Sequence, residues 1–201
     1  MIAIIDYGSS NLFSVVKAFE RAGAKKVLLT NNPNDLKYAS HIVLPGQGAF
    51  VDGIRTLRQK HLVDAIYESV KEKGKPFLGI CLGMQLLAET GFEHGKTEGL
   101  GLVRGKTVLL ETKQKIPHIG WDTIEATRQS KLLVGLPPNP DLYFVHSYYL
   151  MPEDKTATVA ICNYGQTFPA VIEQKNIYAT LFHPEKSQKN GAVILHNFLK
   201  L

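Results

Sequence analysis

Long apolar runs are missing from this 201-residue sequence, and none of its apolar stretches could span a bilayer. The opening residues Met1-Ile2-Ala3-Ile4-Ile5-Asp6 lack the basic start and extended apolar core of a secretory signal. A soluble, cytoplasmic protein with no membrane partner is therefore expected. Cysteine is scarce: Cys81 and Cys162 allow one disulfide at most, and a chain of this length needs no staple, so a reducing compartment fits. No His-Glu-x-x-His spacing or cysteine cluster is present, which argues against a metal site. Glycine-rich phosphate loops of the P-loop or Rossmann kind are also absent, and no cofactor is expected. The formal charge of +5 is spread along the chain. Its densest group, Lys71, Lys73 and Lys75, alternates with Glu72 and Gly74 like a helix-end surface. Nucleic acid is thus not an expected partner, whereas an acidic protein or a phosphorylated substrate held by one would suit the mild excess. No repeat, low-complexity tract or linker interrupts the chain, so residues 1–201 are expected to form one domain.

What is present is a 44% apolar content arranged in short runs. Ile2–Ile5, Val27–Thr30, His41–Leu44 and Pro76–Ile80 read as buried strands. Between them, Leu12, Val15, Val16 and Phe19 recur at helical spacing up to Gly23, and Leu57, Leu62, Ile66 and Val70 suggest a longer helix over 54–73. A further helix is expected over Leu82–Glu89. Strands alternating with helices predict an α/β fold, a parallel sheet covered on both faces. From residue 100 the texture changes to strand candidates separated by turns: Val103–Leu110, Asp122–Glu125, Tyr143–Val145, Thr156–Cys162, Ala170–Glu173 and Ile177–Leu181. An antiparallel extension of the central sheet is expected there, closed by a helix near Lys189–Phe198.

The segment Gly79-Ile80-Cys81-Leu82-Gly83 carries the chemistry. A nucleophile-type residue with glycine two positions to either side, between a strand and a helix, forms an elbow that lifts the side chain above the sheet's carboxyl edge. The helix start would favour a thiolate there. Read alone, the same segment also fits a buried cysteine in a glycine-rich turn. Near the end of the chain, His183-Pro184-Glu185 follows a strand candidate and offers an imidazole with a carboxylate to fix its tautomer. His41, His61, His94, His118, His146 and His196 are the competing histidines; His61 and His196 fall in helical stretches and His41 begins a strand. An acyl-transfer site also needs oxyanion donors. The N–H of Leu82 is one candidate, and Pro45-Gly46-Gln47-Gly48, at the end of the third strand, offers the other through Gln47 and Gly48, although read alone that segment fits an ordinary Pro-Gly turn better.

Gly79-Ile80-Cys81-Leu82-Gly83-Met84-Gln85 and Phe182-His183-Pro184-Glu185 resemble the active-site motifs of class I (triad) glutamine amidotransferases. The resemblance implies a flavodoxin-like, three-layer α/β/α fold and a Cys-His-Glu triad. Within that superfamily the chain is similar to glutaminase subunits of imidazole glycerol phosphate synthases, which act in histidine biosynthesis. Asp6-Tyr7-Gly8 with Asn11-Leu12, Pro45–Phe50, Ile116–Trp121, Tyr143–Tyr148 and Lys186-Ser187 carry that finer likeness across nearly the whole chain. It implies that Cys81 attacks L-glutamine, His183 moves the protons and Glu185 orients His183. Gly46, Gln85, Glu93, Ser147 and Tyr148 would bind the glutamine, and Asn11, Trp121, Tyr143 and Lys186 would lie at a subunit interface. The implied partner is a (β/α)₈-barrel cyclase subunit, joined as a heterodimer and supplied with ammonia through protein. Three departures stand out: Gln47 for a frequent valine, Leu181 for a frequent glutamine, and Asp122 for a frequent asparagine. The alternatives are a glutaminase of pyridoxal 5'-phosphate synthase or anthranilate synthase type, an α/β cysteine hydrolase without glutamine specificity, and a catalytically silent subunit. Gln85, the His-Pro-Glu unit and the filled triad positions weigh against the last two.

Overall fold

Ile2, Ala3, Ile4 and Ile5 are all buried, so the strand they form has no water-facing side and must sit inside a covered sheet. In the computed structural model, which describes residues 1–8 and 11–201, that strand (β1, Ile2–Ile5) is followed by α1 (Leu12–Arg21), β2 (Val27–Thr30), β3 (His41–Gly46), α2 (Phe50–Gln59), α3 (Leu62–Tyr67), β4 (Phe77–Cys81) and α4 (Leu82–Gln85). Short strands come next: β5 (Thr90–Gly91), β6 (Thr97–Glu98), β7 (Gly105–Leu109), β8 (His118–Thr123) and β9 (Glu125–Ala126). The chain ends through β10 (Asp141–His146), β11 (Tyr148–Pro152), β12 (Thr158–Asn163), β13 (Thr167–Gln174), β14 (Ile177–Thr180) and α5 (Gln188–Phe198).

The main sheet has the order β2-β1-β3-β4-β14-β13-β12-β9. It is parallel from β2 to β14 and antiparallel from β14 to β9, as the change of texture near residue 100 predicts. Two small sheets, β10-β8 and β11-β7-β5-β6, were not legible as separate units. Their shortest strands, Thr90–Gly91 and Thr97–Glu98, are too brief to show alternation. Helix α1 packs against α5, and α2 packs against both α3 and α4. Among the described residues no helix is long and apolar enough to cross a membrane.

Two predicted helices are corrected. The single helix over 54–73 is two helices and a π turn, with His61 at φ 55 between them. The five-residue step from Leu57 to Leu62 breaks helical phase, and the bend at His61 lets both residues reach the core, where each is fully buried. The helix after Cys81 stops at Gln85 instead of continuing to Glu89. Leu86, Leu87 and Ala88 are all buried, and their carbonyls accept from Leu100, Val103 and Gly101 rather than from a further helical turn. Core burial thus continues while the backbone bonds pass to the 99–103 segment.

The register of the central strands fixes the site. Gly46 at the end of β3 stands beside Cys81 at the end of β4, and Thr180 at the end of β14 stands beside Ile80. Three loops therefore leave the carboxyl edge of neighbouring strands. α4 starts so close beneath β3 that a Cβ on Gly83 would overlap the Leu44 carbonyl oxygen, and a Cβ on Gly79 would sit 2.7 Å from the Gly83 oxygen. Gly83→Ala should therefore destabilise the fold by more than about 4 kcal/mol, beyond ordinary single substitutions. Gly53→Ala meets only the flexible ends of Leu86, at 3.1 Å, and Leu82, at 3.4 Å; it should stay within about 1 kcal/mol, because helix propensity offsets the tight contact. Urea unfolding of the two variants checks the contrast, and equal costs would contradict it.

Candidate active site

Cys81 ends β4 at φ 54 and ψ −108, a strained conformation for a residue with a side chain. The surroundings impose it: β4 must turn into α4 within one residue while Gly79 and Gly83 hold the two elements in contact. The sulfur is buried and lies 3.5 Å from the Val145 carbonyl of β10. Leu82 is the first residue of α4, so its N–H has no acceptor within the helix.

The imidazole of His183 reaches Cys81 from the loop after β14. Its Nδ1 is 2.8 Å from Glu185 Oε1, and both side chains are almost wholly buried. With Nδ1 so engaged, Nε2 is left for the sulfur. Burial alone would lower the imidazole's affinity for its proton. Hydrogen bonds to Cys81 and Glu185 and their negative charge outweigh it, and the pKa rises to about 10. Glu185 Oε2 has no hydrogen-bond partner among the described residues, so the carboxylate is directed at His183 and little else. Ser187 locks the loop in place: its hydroxyl donates to the His183 carbonyl at 2.6 Å and accepts from the Tyr143 N–H at 2.9 Å. The His183 N–H donates to the Tyr143 carbonyl at 2.8 Å.

A cleft of about 300 Å³ opens over the sulfur, lined by Gln47, Gly48, Cys81, Leu82, Gln85, Val145, His146, His183 and Lys186. A larger groove, of about 650 Å³, runs along Ala126–Val134 and shares none of these residues. Gly48 takes φ +103, a value open to glycine, and so lets the loop turn over the cleft. Gly46 is packed under the Tyr7 hydroxyl and against Leu82, where a Cβ would not fit. Gln85 donates from Nε2 to the Tyr148 carbonyl at 3.2 Å.

The remaining expected residues divide into those near the cleft and those away from it. Glu93 accepts from the Phe50 N–H at 2.6 Å, at the start of α2, and does not line the cleft. Ser147 and Tyr148 contribute backbone carbonyls, to Leu110 and to Gln85. Trp121 and Tyr143 are paired across β8 and β10 with ring centroids 5.8 Å apart, and Lys186 Nζ lies 5.8 Å from the Tyr143 ring. Trp121 is 49% exposed and neighbouring Ile119 59%, an apolar surface beside the cleft. Asn11 sits at φ 69 ahead of α1, which packs near the turn holding Lys186. Sequence reading missed Val145 and Ser187 and treated His146 only as a rival base. Val145 acts through its carbonyl, which no side-chain pattern reveals. All three fall inside recognised segments, Tyr143–Tyr148 and Lys186-Ser187.

Comparisons with known proteins show the family and the fold. The family model described as "Glutamine amidotransferase class-I" matches residues 3–201. The imidazole glycerol phosphate synthase subunit HisH of Aquifex aeolicus (strain VF5) is 47% identical over 97% of this chain and 94% of its own length. Subunit HisH 1 of Campylobacter jejuni (strain RM1221) is 44% identical over the full length of both. Among solved structures, one described as a glutamine amidotransferase superposes with a TM-score of 0.77 at 17% identity, covering 100% of this chain and 98% of that one. PurLQS from Thermotoga maritima superposes with a TM-score of 0.75 at 19% identity, covering 99% and 97%.

The raised pKa of His183 makes a pH prediction. Its folded value lies above the ordinary 6.5 of the unfolded chain, so the stabilisation is complete below pH 6.5 and is lost as pH rises through about 10. Cys81→Ala removes one of the groups that raise it. Imidazole titration followed by NMR should show His183 losing its proton at lower pH in that variant, and an unchanged titration would contradict the sulfur's part.

Proposed function

Since the chain belongs to the class I glutamine amidotransferase family, we propose that its residues 1–201 act as one glutaminase domain of imidazole glycerol phosphate synthase in histidine biosynthesis. The observation that carries the chemistry is the buried run Cys81–His183–Glu185, at the mouth of a cleft that also holds Gln85. Cys81 attacks the carboxamide carbon of L-glutamine. The oxygen of the tetrahedral intermediate takes its charge toward the Leu82 N–H and the Gln47–Gly48 peptide. One such donor is worth about 3 kcal/mol, a hundredfold to a thousandfold in rate. The imidazolium of His183 gives its proton to the departing nitrogen, ammonia leaves, and a glutamyl thioester remains on Cys81. His183 then takes a proton from water, the hydroxide attacks the thioester, and glutamate and the thiolate separate. Glu185 holds the tautomer of His183 throughout. Gln85 lines the glutamine site, Gly46, Ser147 and Tyr148 adjoin it through backbone contacts, and Glu93 is its outlying member. The Phe50 N–H now held by Glu93 is the contact that a substrate ammonium would have to share or displace.

Ammonia set free in neutral water would be protonated and lose its nucleophilic lone pair, so it must pass through protein. The exposed Trp121 and Ile119 beside Tyr143 and Lys186 provide an apolar surface next to the cleft, and Asn11 precedes the helix that packs on the turn holding Lys186. This surface receives the (β/α)₈-barrel cyclase subunit, which holds the phosphorylated acceptor and forms a heterodimer with this chain. Cys81→Ala should abolish glutamine hydrolysis while the complex still assembles and makes imidazole glycerol phosphate from added ammonium salt. Both activities measured on the variant complex test the assignment. Glutaminase activity surviving in Cys81→Ala would remove Cys81 as the nucleophile.

A further inference from the structure

A chain of buried polar groups leads from the exposed ribbon to the cleft and is not used by the triad. On β8, His118 Nε2 lies 3.2 Å from Asp122 Oδ2. Residues four apart on a strand do not ordinarily touch; Gly120 between them, at φ +138, bends β8 enough to bring them together. His118 Nδ1 lies 3.1 Å from His146 Nε2, its register partner on β10. His146 Nδ1 lies 3.1 Å from the Tyr148 carbonyl oxygen, which also accepts from Gln85 Nε2. His118 is held flat between the rings of Tyr164 and Phe144, with centroids 3.9 Å and 4.9 Å away, so it cannot turn to find other partners.

Donor and acceptor counting fixes the protons. A carbonyl oxygen only accepts, so His146 Nδ1 must carry hydrogen. His146 stays neutral, its pKa pushed down to about 3 by burial and then by the neighbouring His118. Its Nε2 is therefore an acceptor, and His118 Nδ1 must donate to it. That leaves His118 Nε2 facing a carboxylate, which only accepts. Every bond in the chain is satisfied only when one extra proton sits in the Asp122–His118 contact. Asp122 already accepts from the Thr123 N–H at 2.8 Å and from the Cys162 thiol. The thiol keeps its hydrogen because burial and Asp122 push it up to about 12. With two donors already on the carboxylate, the extra proton is placed on His118 Nε2, between two flanking rings that suit a cation. The titratable groups facing the pair are Asp122 on its own strand, Cys162 and Tyr164 at the end of β12, and His183 beyond His146; β13 contributes the apolar Phe168.

We propose that Asp122 and His118 are positioning residues that set the tautomer of His146 and, through the Tyr148 carbonyl, hold Gln85 in place to bind glutamine. When His118 loses its proton, its remaining hydrogen moves to Nε2 to meet Asp122. His146 then shifts its hydrogen to Nε2 to meet His118, and a bare Nδ1 lone pair faces the Tyr148 oxygen. The mismatch is thereby delivered to the carbonyl on which Gln85 rests. Burial lowers the His118 pKa and Asp122 only partly restores it, so the proton leaves below the ordinary histidine value as pH rises. Asp122→Asn replaces the carboxylate with an amide that can donate to His118 Nε2. The three contacts from residue 122 to Tyr148 are then satisfied with both imidazoles neutral.

This inference rests on the glutaminase reading, and its test separates the two. Imidazole ¹⁵N shifts of the full chain, recorded without substrate from about pH 5 to about pH 8, should show hydrogen leaving His146 Nδ1 in the wild type and remaining there in Asp122→Asn. Over the same range, in the complex with its partner, KM for glutamine should rise about threefold to tenfold in the wild type relative to Asp122→Asn, with kcat moving together in both. Superposable nitrogen titrations, or KM profiles that run parallel, would overturn the proposal. Failure of the wild-type complex to hydrolyse glutamine at any pH would instead overturn the glutaminase reading, and the nitrogen shifts would still decide whether Asp122 sets the tautomers.

Discussion

Gly83 lies so close under the Leu44 carbonyl that α4 and β3 meet without an intervening side chain, and the placement of the site follows from that approach. With β4 hydrogen-bonded to β3 on one side and β14 on the other, the only route from strand to helix is a turn of one residue. Cys81 takes that turn at a positive φ, and the strain is held by the fully buried residues on either side of it, Leu78 and Met84 among them. The same approach puts the first N–H of α4 beside Gly46 and the start of the Gln47–Gly48 loop. The positions of the Cys81 sulfur and the Leu82 N–H are thus consequences of one packing contact. A residue larger than glycine at position 79 or 83 would move both together.

Electrostatics are organised around the same point. His183 and Glu185 bring a buried imidazolium and carboxylate to the sulfur, and the exposed face of the ribbon lies only a few residues away. β10 joins the two regions through its alternation: Tyr143 and Val145 pair with the exposed Trp121 and Ile119, while Phe144 and His146 pair with Gly120 and the buried His118. Ser187 ties the backbone of that strand to the His183 loop. A partner resting on Trp121 would therefore press on a strand whose own carbonyls touch Cys81 and His183.

The parallel half of the fold was legible because β1, β3 and β4 are buried on both faces and are written as unbroken apolar runs. The elbow was legible because its glycines are demanded by backbone overlap, a constraint that leaves few residue choices. The break at His61 and the early end of α4 were less legible, since both are decided by where the backbone bonds go, not by which residues are apolar. Leu86, Leu87 and Ala88 keep a helical look while their carbonyls bond the 99–103 segment. The two small sheets were hidden for a similar reason: β5 and β6 are two residues each and gain their identity from β7. Glu93 shows the limit at the candidate site, because a glutamate twelve residues past Cys81 gives no sign that a helix N–H will occupy it.

Asp122 illustrates how one atom's identity reaches far from its position. An amide and a carboxylate have nearly the same shape, so packing around residue 122 would scarcely distinguish them. Hydrogen-bond direction does distinguish them, because the Tyr148 carbonyl accepts at one end of the chain and a carboxylate accepts at the other. Two imidazoles between two acceptors supply two hydrogens when neutral, one fewer than the three contacts require, and the missing hydrogen must come from solvent. Strand geometry supplies the line along which that deficit moves, since His118 and His146 are register partners and the His118 ring is stacked between Tyr164 and Phe144. A cationic group of a partner, brought near the quarter-exposed carboxylate of Asp122, would weaken its hold on the His118 proton. Docking on the outer face of the ribbon and glutamine affinity on the inner face would then be linked through proton occupancy, with no displacement of the backbone required.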